Sequence, residues 1–215
     1  MKIIGIVGFA GSGKSTVADI LVNTYSFHSI SFADGVKDAT SAIFGWPRDL
    51  LEGDTVESRE FRETESPYWT EKFGFSVTPR KMMQIMGTEA GRQCFHPDIW
   101  IHRTFNVINA WSAIGIDRVV IPDVRFGNEI EEITNQSGTL IRVRRGPEPE
   151  WYELALRAND NKDPGRSECA IRLMEKNIHY SEWAWISHNY RFDHIIENDG
   201  TVEDLQKKVA EIINL

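Results

Sequence analysis

Gly8-Phe9-Ala10-Gly11-Ser12-Gly13-Lys14-Ser15-Thr16 follows directly on the apolar run Ile3-Ile4-Gly5-Ile6-Val7. The stretch satisfies the pattern G-x-x-x-x-G-K-[ST] and stands where such a loop must stand, between a first strand and a first helix. Each residue type has a physical reason. Glycines let backbone N–H groups turn inward around phosphate oxygens, and a helix N-terminus behind them adds partial positive charge. Lys14 can reach the outer phosphates as a mobile point charge, and Ser15 can offer its hydroxyl to Mg²⁺. Gly11, Ser12, Gly13, Lys14, Ser15 and Thr16 are therefore the expected cradle of a nucleoside triphosphate.

Outward from this loop the chain alternates strands with helices. Residues 2–7 read as a parallel strand buried on both faces. Lys14 to Tyr25 has Val17, Ala18, Leu21 and Val22 at helical spacing. A short strand is expected over Ser29 to Phe32, then a helix through Phe44. From Gly45 to Pro79 the chain is rich in Trp, Pro, Glu and Arg without clear periodicity, which reads as an excursion off the sheet. A helix over Pro79 to Gln93 follows, with Met82, Met83, Ile85 and Met86 as apolar filler, and another from Asp98 to about Ile114. Strands are expected at Arg118–Asp123, Thr139–Arg144 and Asp193–Asn198. Between them lie a helix over Phe126–Gln136 stopped by Gly138 and a second excursion to about Trp185. Thr201 with Asp204 marks the start of a closing helix to Ile213. The pattern is α/β: a three-layer, doubly wound parallel sheet with two excursions placed as flaps over the strand C-terminal ends.

Composition sets bounds. The 215 residues can bury an ample core. With 24 basic and 32 acidic residues the formal charge is −8, which argues against a general nucleic-acid or membrane-surface role. Cys94 and Cys169 form neither a metal spacing nor a disulfide framework, so a reducing cytoplasm is the expected compartment. The N-terminal apolar run is too short for a signal peptide, and nothing approaches a transmembrane length.

A phosphate loop alone cannot separate kinases from GTPases or motor ATPases. Asp123 ends an apolar strand, the place of a carboxylate that holds Mg²⁺ with Ser15. Guanine recognition wants N-K-x-D, whereas Asn161-Lys162-Asp163 brings the Asp one residue early and in the wrong segment. Basic residues gather at strand ends: Lys37 three residues after Asp34, Arg125 two after Asp123, and Arg142, Arg144 and Arg145 leading into the second excursion. Bringing two polyanions together needs counter-charge on both, and arginine forks clamp phosphate oxygens bidentately.

With these residues in view, the chain resembles the P-loop nucleoside monophosphate kinases, and among them the deoxynucleoside monophosphate kinases of tailed bacteriophages and bacterial relatives. The resemblance is carried by Gly8 to Thr16, Ser31-Phe-Ala-Asp34 with Lys37-Asp38-Ala39, Thr78-Pro-Arg80-Lys81 to Gln84, and Gly87-Thr-Glu89 with Gly91-Arg92. It continues through His96-Pro-Asp98-Ile-Trp100, Asp123-Val-Arg125-Phe-Gly-Asn128-Glu129, Ser167-Glu168 and the tail Asp193 to Gly200. It departs at Gly127, where the family often has proline, and at Gly165, where it often has histidine. The resemblance implies one P-loop kinase domain: a core of about 1–44, 98–145 and 186–215, a monophosphate-binding excursion of about 45–97 and a lid of about 146–185. It implies ATP and Mg²⁺, transfer to a deoxynucleoside 5′-monophosphate, and a cytoplasmic protein (the host's, if phage-encoded) that is a monomer or homodimer. Lys37 and Arg125 then match acceptor-phosphate contacts. Gln84, Thr88 and Arg92 match base or sugar contacts, with Trp69 or Trp100 available for stacking, and Asp34, Arg80, Asn128 and Glu168 join the acceptor side. Catalysis is expected to rest on Lys14, Arg125, Arg144 and Arg145. Two alternatives stay open: a small-molecule kinase with a hydroxyl acceptor, for which Asp34 is the available base, and an ATP-dependent switch with no acceptor.

Overall fold

A computed structural model describes residues 1–213; positions 214 and 215, the end of the expected last core segment, lie outside the described residues. The elements run β1 (Lys2–Val7), α1 (Lys14–Tyr25), β2 (His28–Ser29), α2 (Ala33–Phe44), α3 (Val56–Glu63), α4 (Pro67–Phe73), α5 (Pro79–Ile85) and a π-helical segment Met86–Phe95. They continue α6 (Ile99–Ala113), β3 (Arg118–Ile121), α7 (Gly127–Asn135), β4 (Thr139–Arg144), α8 (Tyr152–Asn159), α9 (Arg166–Glu175), α10 (Tyr180–Trp183), β5 (His194–Glu197) and α11 (Val202–Ile213). Two compact units result: residues 1–30 with the chain from Ala110 onward, and residues 31–109.

The first unit holds the sheet, in the order β2-β3-β1-β4-β5, with every ladder parallel. The central strand β1 is continuously buried from Ile3 to Val7, as a strand covered on both faces must be. One face packs on α1 and α11 through Ile4, Ile6, Val17, Leu21, Val120, Ile141, Ile196, Leu205 and Val209. On the other face α7 brings Ile133 against Gly5. Each fully buried Ile or Leu contributes about 1.5–3 kcal/mol. The sheet order puts β1 and β4 side by side, so the loops after both strands open at the same edge. That placement builds the site.

Four boundaries differ from the sequence expectation. β2 covers only His28–Ser29, because the Asp34 carboxylate captures the Ser31 N–H at 2.8 Å and turns the chain toward α2. β3 ends at Ile121 because Pro122 has no N–H to give to a ladder, so Asp123 lies in the turn beyond. The helix expected over 79–93 is α-helical only to Ile85 and then widens into the π-helical segment. At the end of α7 the left-handed residue is Ser137 (φ 55°), while Gly138 donates to the Ile133 carbonyl at 2.9 Å.

The second unit is helical throughout, including the stretch that lacked periodicity. α3 starts from Thr55, whose hydroxyl accepts from the Ser58 amide, and α4 and α5 each begin on a proline at the first helical position. Its interior centres on Val36, Leu51, Met83 and Trp100, with the half-buried Trp46 and Phe61 packed against them. Phe44, Trp46, Phe61, Trp69 and Phe73 continue outward from there as a run of ring contacts.

Candidate active site

The phosphate loop joins β1 to α1 with the backbone that anion binding needs. Gly13 is left-handed (φ 103°) and caps α1, so Lys14, Ser15 and Thr16 occupy its first turn with their N–H groups unclaimed by the helix. No acidic residue stands in that turn to neutralise the positive helix end. A Cβ at Gly8 would overlap the Val143 carbonyl oxygen, and one at Gly13 would overlap the Asn198 amide. The loop is thus wedged between β4 and the segment after β5. Asn198 sets this brace: its side-chain N–H donates to the Ser12 carbonyl at 2.8 Å, and its backbone N–H to the Arg144 carbonyl at 2.7 Å. The Ser12 hydroxyl is buried beneath the loop without a hydrogen-bond partner.

Lys14 curls over this cradle, donating to the carbonyls of Gly8 and Phe9 at 2.8 and 2.7 Å. Burial of its ammonium, reinforced by the positive charge of Arg125, lowers its pKa to about 8, against the opposing pull of Glu182 and Asp123. Lys14, Asp123, Arg125 and Glu182 therefore share one electrostatic neighbourhood in the first unit. A desolvated ammonium next to another cation gains by meeting a polyphosphate. Ser15 and Asp123 supply a hydroxyl and a carboxylate of the hard-oxygen type that Mg²⁺ prefers, and they fit that ion.

Arg125 donates from Nη1 to Glu182 at 2.8 Å. Its backbone is held by a residue to which the sequence reading assigned no role. The buried Glu129 carboxylate accepts the N–H groups of Arg125 (2.7 Å) and Phe126 (3.1 Å), fixing the turn from which Arg125 projects. We expect Glu129→Ala to remove about 2–3 kcal/mol of stability, since a buried charged acceptor leaves two amides unmet. Glu129→Gln, which keeps one acceptor, should recover much of the stability and leave a measurable loss of kcat with little change in KM for the nucleotide. Chemical denaturation and steady-state kinetics on both variants would check this.

The arginines of β4, with Arg145 just beyond it, divide into two roles. Arg142 is buried, paired to Glu148 at 2.6 Å and lying over the rings of Tyr152, Trp185 and Phe192, which makes it a structural peg. Arg144 is engaged by Glu148 and Glu197, both at 3.2 Å. Arg145 is exposed and lines a small cleft with Phe9, Ala10, Gly11, Ser12 and Arg144. Phe9, from the phosphate loop itself, packs against Trp151 and Trp185, with ring centres 5.4 and 5.0 Å away. The loop and the second excursion are thereby joined through one aromatic box.

In the second unit Asp34, Lys37, Asp38, Arg48, Glu52 and Arg103 form a continuous ionic network. Lys37 pairs with Glu52 and, at 3.7 Å, with Asp34; Arg48 reaches Asp34 (3.3 Å), Asp38 (2.6 Å) and Glu52; Arg103 reaches Asp38 at 2.7 Å. Partial burial works to raise the Glu52 pKa, but its hydrogen bonds to Lys37 and Arg48 hold it below the usual carboxylate value. Arg80 is exposed and paired to Glu63, Gln84 is exposed and Thr88 half-buried in the π-helical segment. Arg92 donates to the Pro97 carbonyl at 3.1 Å. Trp69 gives its indole N–H to the Phe44 carbonyl at 3.2 Å and meets Phe44, Tyr68 and Phe73 edge-on or tilted. Trp100 is buried and donates to Gly87. Both tryptophans, of which one or the other was available for stacking on a ligand, have the surroundings of packing residues. In the first unit Asn128 opens α7, and Glu168 lies exposed in the first turn of α9, facing that helix's positive end.

Arg48, Glu129, Glu182 and Asn198 were missed as individual site residues. Only Glu129 left a local signal, an acid three residues after Phe126 at a helix start. Glu182 and Asn198 depend on contacts distant in sequence, and Arg48 on a short turn that its irregular surroundings do not announce.

No family model matches the chain. A protein of Acanthamoeba polyphaga mimivirus named as a deoxynucleotide monophosphate kinase is 34% identical over 227 aligned positions, covering 100% of this chain and 97% of the relative. The deoxynucleoside-5′-monophosphate kinase of Escherichia phage T5 is 28% identical over 179 positions, covering 60% of this chain and 70% of that protein. Among solved structures, dephospho-CoA kinase from Campylobacter jejuni aligns over 99% of this chain and 96% of its own at 15% identity, with a TM-score of 0.45. A phosphate loop on a parallel sheet, a carboxylate and an arginine from the turn after β3 electrostatically close to its lysine, and similarity to the mimivirus protein along the whole chain lead to one assignment: the chain belongs to the deoxynucleoside monophosphate kinases.

Proposed function

We propose that the protein transfers the γ-phosphoryl group of ATP to a deoxynucleoside 5′-monophosphate, yielding the diphosphate. The observation that carries this reading is Lys14 folded over the phosphate loop against the Gly8 and Phe9 carbonyls at 2.8 and 2.7 Å, with Asp123 and Arg125 within electrostatic reach. In this reading the loop N–H groups, Lys14 and Thr16 hold the donor's phosphates. Ser15 and Asp123 hold Mg²⁺, which when bound neutralises phosphate charge. Arg125, with Arg144 and Arg145 at the root of a lid of about 146–185, stabilises the transferring group. Acceptor binding falls to residues of 31–109, with Lys37, Arg80, Gln84, Thr88 and Arg92 as its contacts and about 45–97 as the monophosphate-binding excursion.

An acceptor phosphate is already anionic at neutral pH, so no strong base is required. Positioning and charge neutralisation suffice. The network around Asp34 supports this over the hydroxyl-acceptor alternative. Its carboxylate is committed to the Ser31 amide, Lys37 and Arg48, which leaves it poorly placed to take a hydroxyl proton. The acidic net charge favours a small nucleotide substrate over nucleic acid. No helix among the described residues is long and apolar enough to cross a membrane.

The test is an ADP-release screen with MgATP against all deoxy- and ribonucleoside monophosphates, alongside sugar and coenzyme-precursor hydroxyls. Deoxynucleoside monophosphates should raise ADP release about 100-fold or more above background hydrolysis, in the range expected of an acceptor that completes a catalytic site. Release that ignores added monophosphates, or that responds only to hydroxyl acceptors, would overturn the reading.

A further inference from the structure

The junction between the π-helical segment and α6 brings His96, Asp98 and His102 together, each offering one ligand atom, all within 4.8 Å of one another. The local chain explains the convergence. Pro97 holds His96 extended (φ −164°, ψ 140°), turning its ring back over the start of α6, where Nδ1 accepts the Asp98 N–H at 3.1 Å. The first turn of α6 then sets His102 above Asp98, with the His102 N–H donating to the Asp98 carbonyl at 2.8 Å. Residues four apart share a helix face. The two imidazoles stand 5.4 Å apart, and the Asp98 carboxylate is 4.0 Å from His96 Nδ1. Both histidines are exposed and Asp98 is half-buried, so the cluster is open to an ion from solvent.

We propose that His96, Asp98 and His102 form a binding site for a borderline divalent transition ion of the Zn²⁺ class. Two imidazole nitrogens and one carboxylate oxygen are the donors such ions choose, whereas Mg²⁺ and Ca²⁺ require oxygen shells. Ligand bonds of about 2.0–2.2 Å place neighbouring donors somewhat closer together than they stand now. Binding therefore draws the side chains inward and replaces the Asp98 N–H contact at His96 Nδ1 with a metal bond. Three protein ligands leave at least one position for water. The ion would clip the end of the π-helical segment to the start of α6, a junction already tied by Arg92 to the Pro97 carbonyl and by Trp100 to Gly87. The site does not depend on the phosphotransfer reading.

The test is titration of the full chain with Co²⁺, a coloured substitute for Zn²⁺, in excess Mg²⁺ to saturate hard-cation sites. Saturable visible absorption at one equivalent is expected, bleached by Zn²⁺, and Zn²⁺ should raise the thermal midpoint in a concentration-dependent way. His96→Ala and His102→Ala should each weaken binding by about 10- to 100-fold or more, since even partners outside the coordination sphere cost that much, while His179→Ala in the lid should bind as the parent does. The ligands lie on the surface, and circular dichroism would check that each variant is folded. Absence of one-equivalent binding, or binding unchanged in His102→Ala, would overturn the proposal.

Discussion

Lys14→Met should lower phosphoryl transfer by about 10³-fold while making the nucleotide-free protein more stable at neutral pH. The loss follows from the proposed role of Lys14, a charge that accompanies the moving phosphoryl group at a site where exclusion of water makes such contacts weigh most. The gain follows from the same burial. The folded-state pKa of Lys14 is about 8 against an ordinary 10.5, so at pH 7 the fold carries an ammonium that it disfavours. Methionine keeps the stem and removes the charge, which should add roughly 1–3 kcal/mol after allowing for partial exposure and the two lost carbonyl contacts. The sign can be checked against pH. Between about pH 8 and 10.5 the unfolded chain binds more protons than the folded one, so the parent's stability from this group should rise with pH across that window. The variant should lack that rise. Binding runs the other way: MgATP affinity in the parent should weaken as Lys14 loses its proton above about pH 8. Denaturation curves and nucleotide titrations at pH 7, 8.5 and 10 would measure both. A variant with near-normal turnover, or one destabilised at neutral pH, would contradict the assignment.

Arg125→Ala should reduce kcat by about 10²- to 10³-fold, the range seen when one preorganised charge-stabilising donor is removed. Arg125→Lys should recover little, because an ammonium cannot reproduce the planar fork. A second readout separates this role from a structural one. Arg125 helps to depress the Lys14 pKa, so its removal should move the alkaline fall in MgATP affinity to higher pH. Glu182→Gln, which releases the Arg125 head from its 2.8 Å ion pair, should shift the same limb to lower pH, since Glu182 raises the Lys14 pKa. Opposite shifts from the two partners of one ion pair are hard to produce by general loosening. If both variants kept the parent's pH profile, the electrostatic account of the site would fail.

The ionic network of the second unit bears on how the acceptor reading can be tested. Lys37 is paired to Glu52 and Asp34, and Arg48 bridges three carboxylates. If Lys37 holds the acceptor phosphate as proposed, that phosphate must compete with those carboxylates, and Glu52→Gln should then tighten acceptor binding in a nucleoside monophosphate titration. Nothing in the local sequence announced Arg48. It follows Pro47 in an irregular stretch, and its importance comes from a three-residue 3-10 turn at Asp49–Leu51 that brings Glu52 back beside it.

What was readable from residues alone is what local chemistry dictates. A continuous apolar run before a glycine-rich turn reads as a buried strand feeding a helix N-terminus, so the phosphate loop followed from residues 2–16. The parallel class of the sheet needed the strand–helix alternation of the whole chain, and the kinase family needed motifs spread from Gly8 to Gly200. Thr201 with Asp204 likewise marked the start of α11, where Thr201 and Asp204 do cap each other at 3.0–3.2 Å. Only the tertiary structure decided that Arg142 is a peg among aromatic rings while Arg144 and Arg145 flank the cradle, that Trp69 and Trp100 pack, and that Glu129 and Asn198 brace the loops. These assignments join positions as far apart as 186 residues. A side chain's partner at that distance depends on strand order and on which face it buries, and neither is written in the few residues around it.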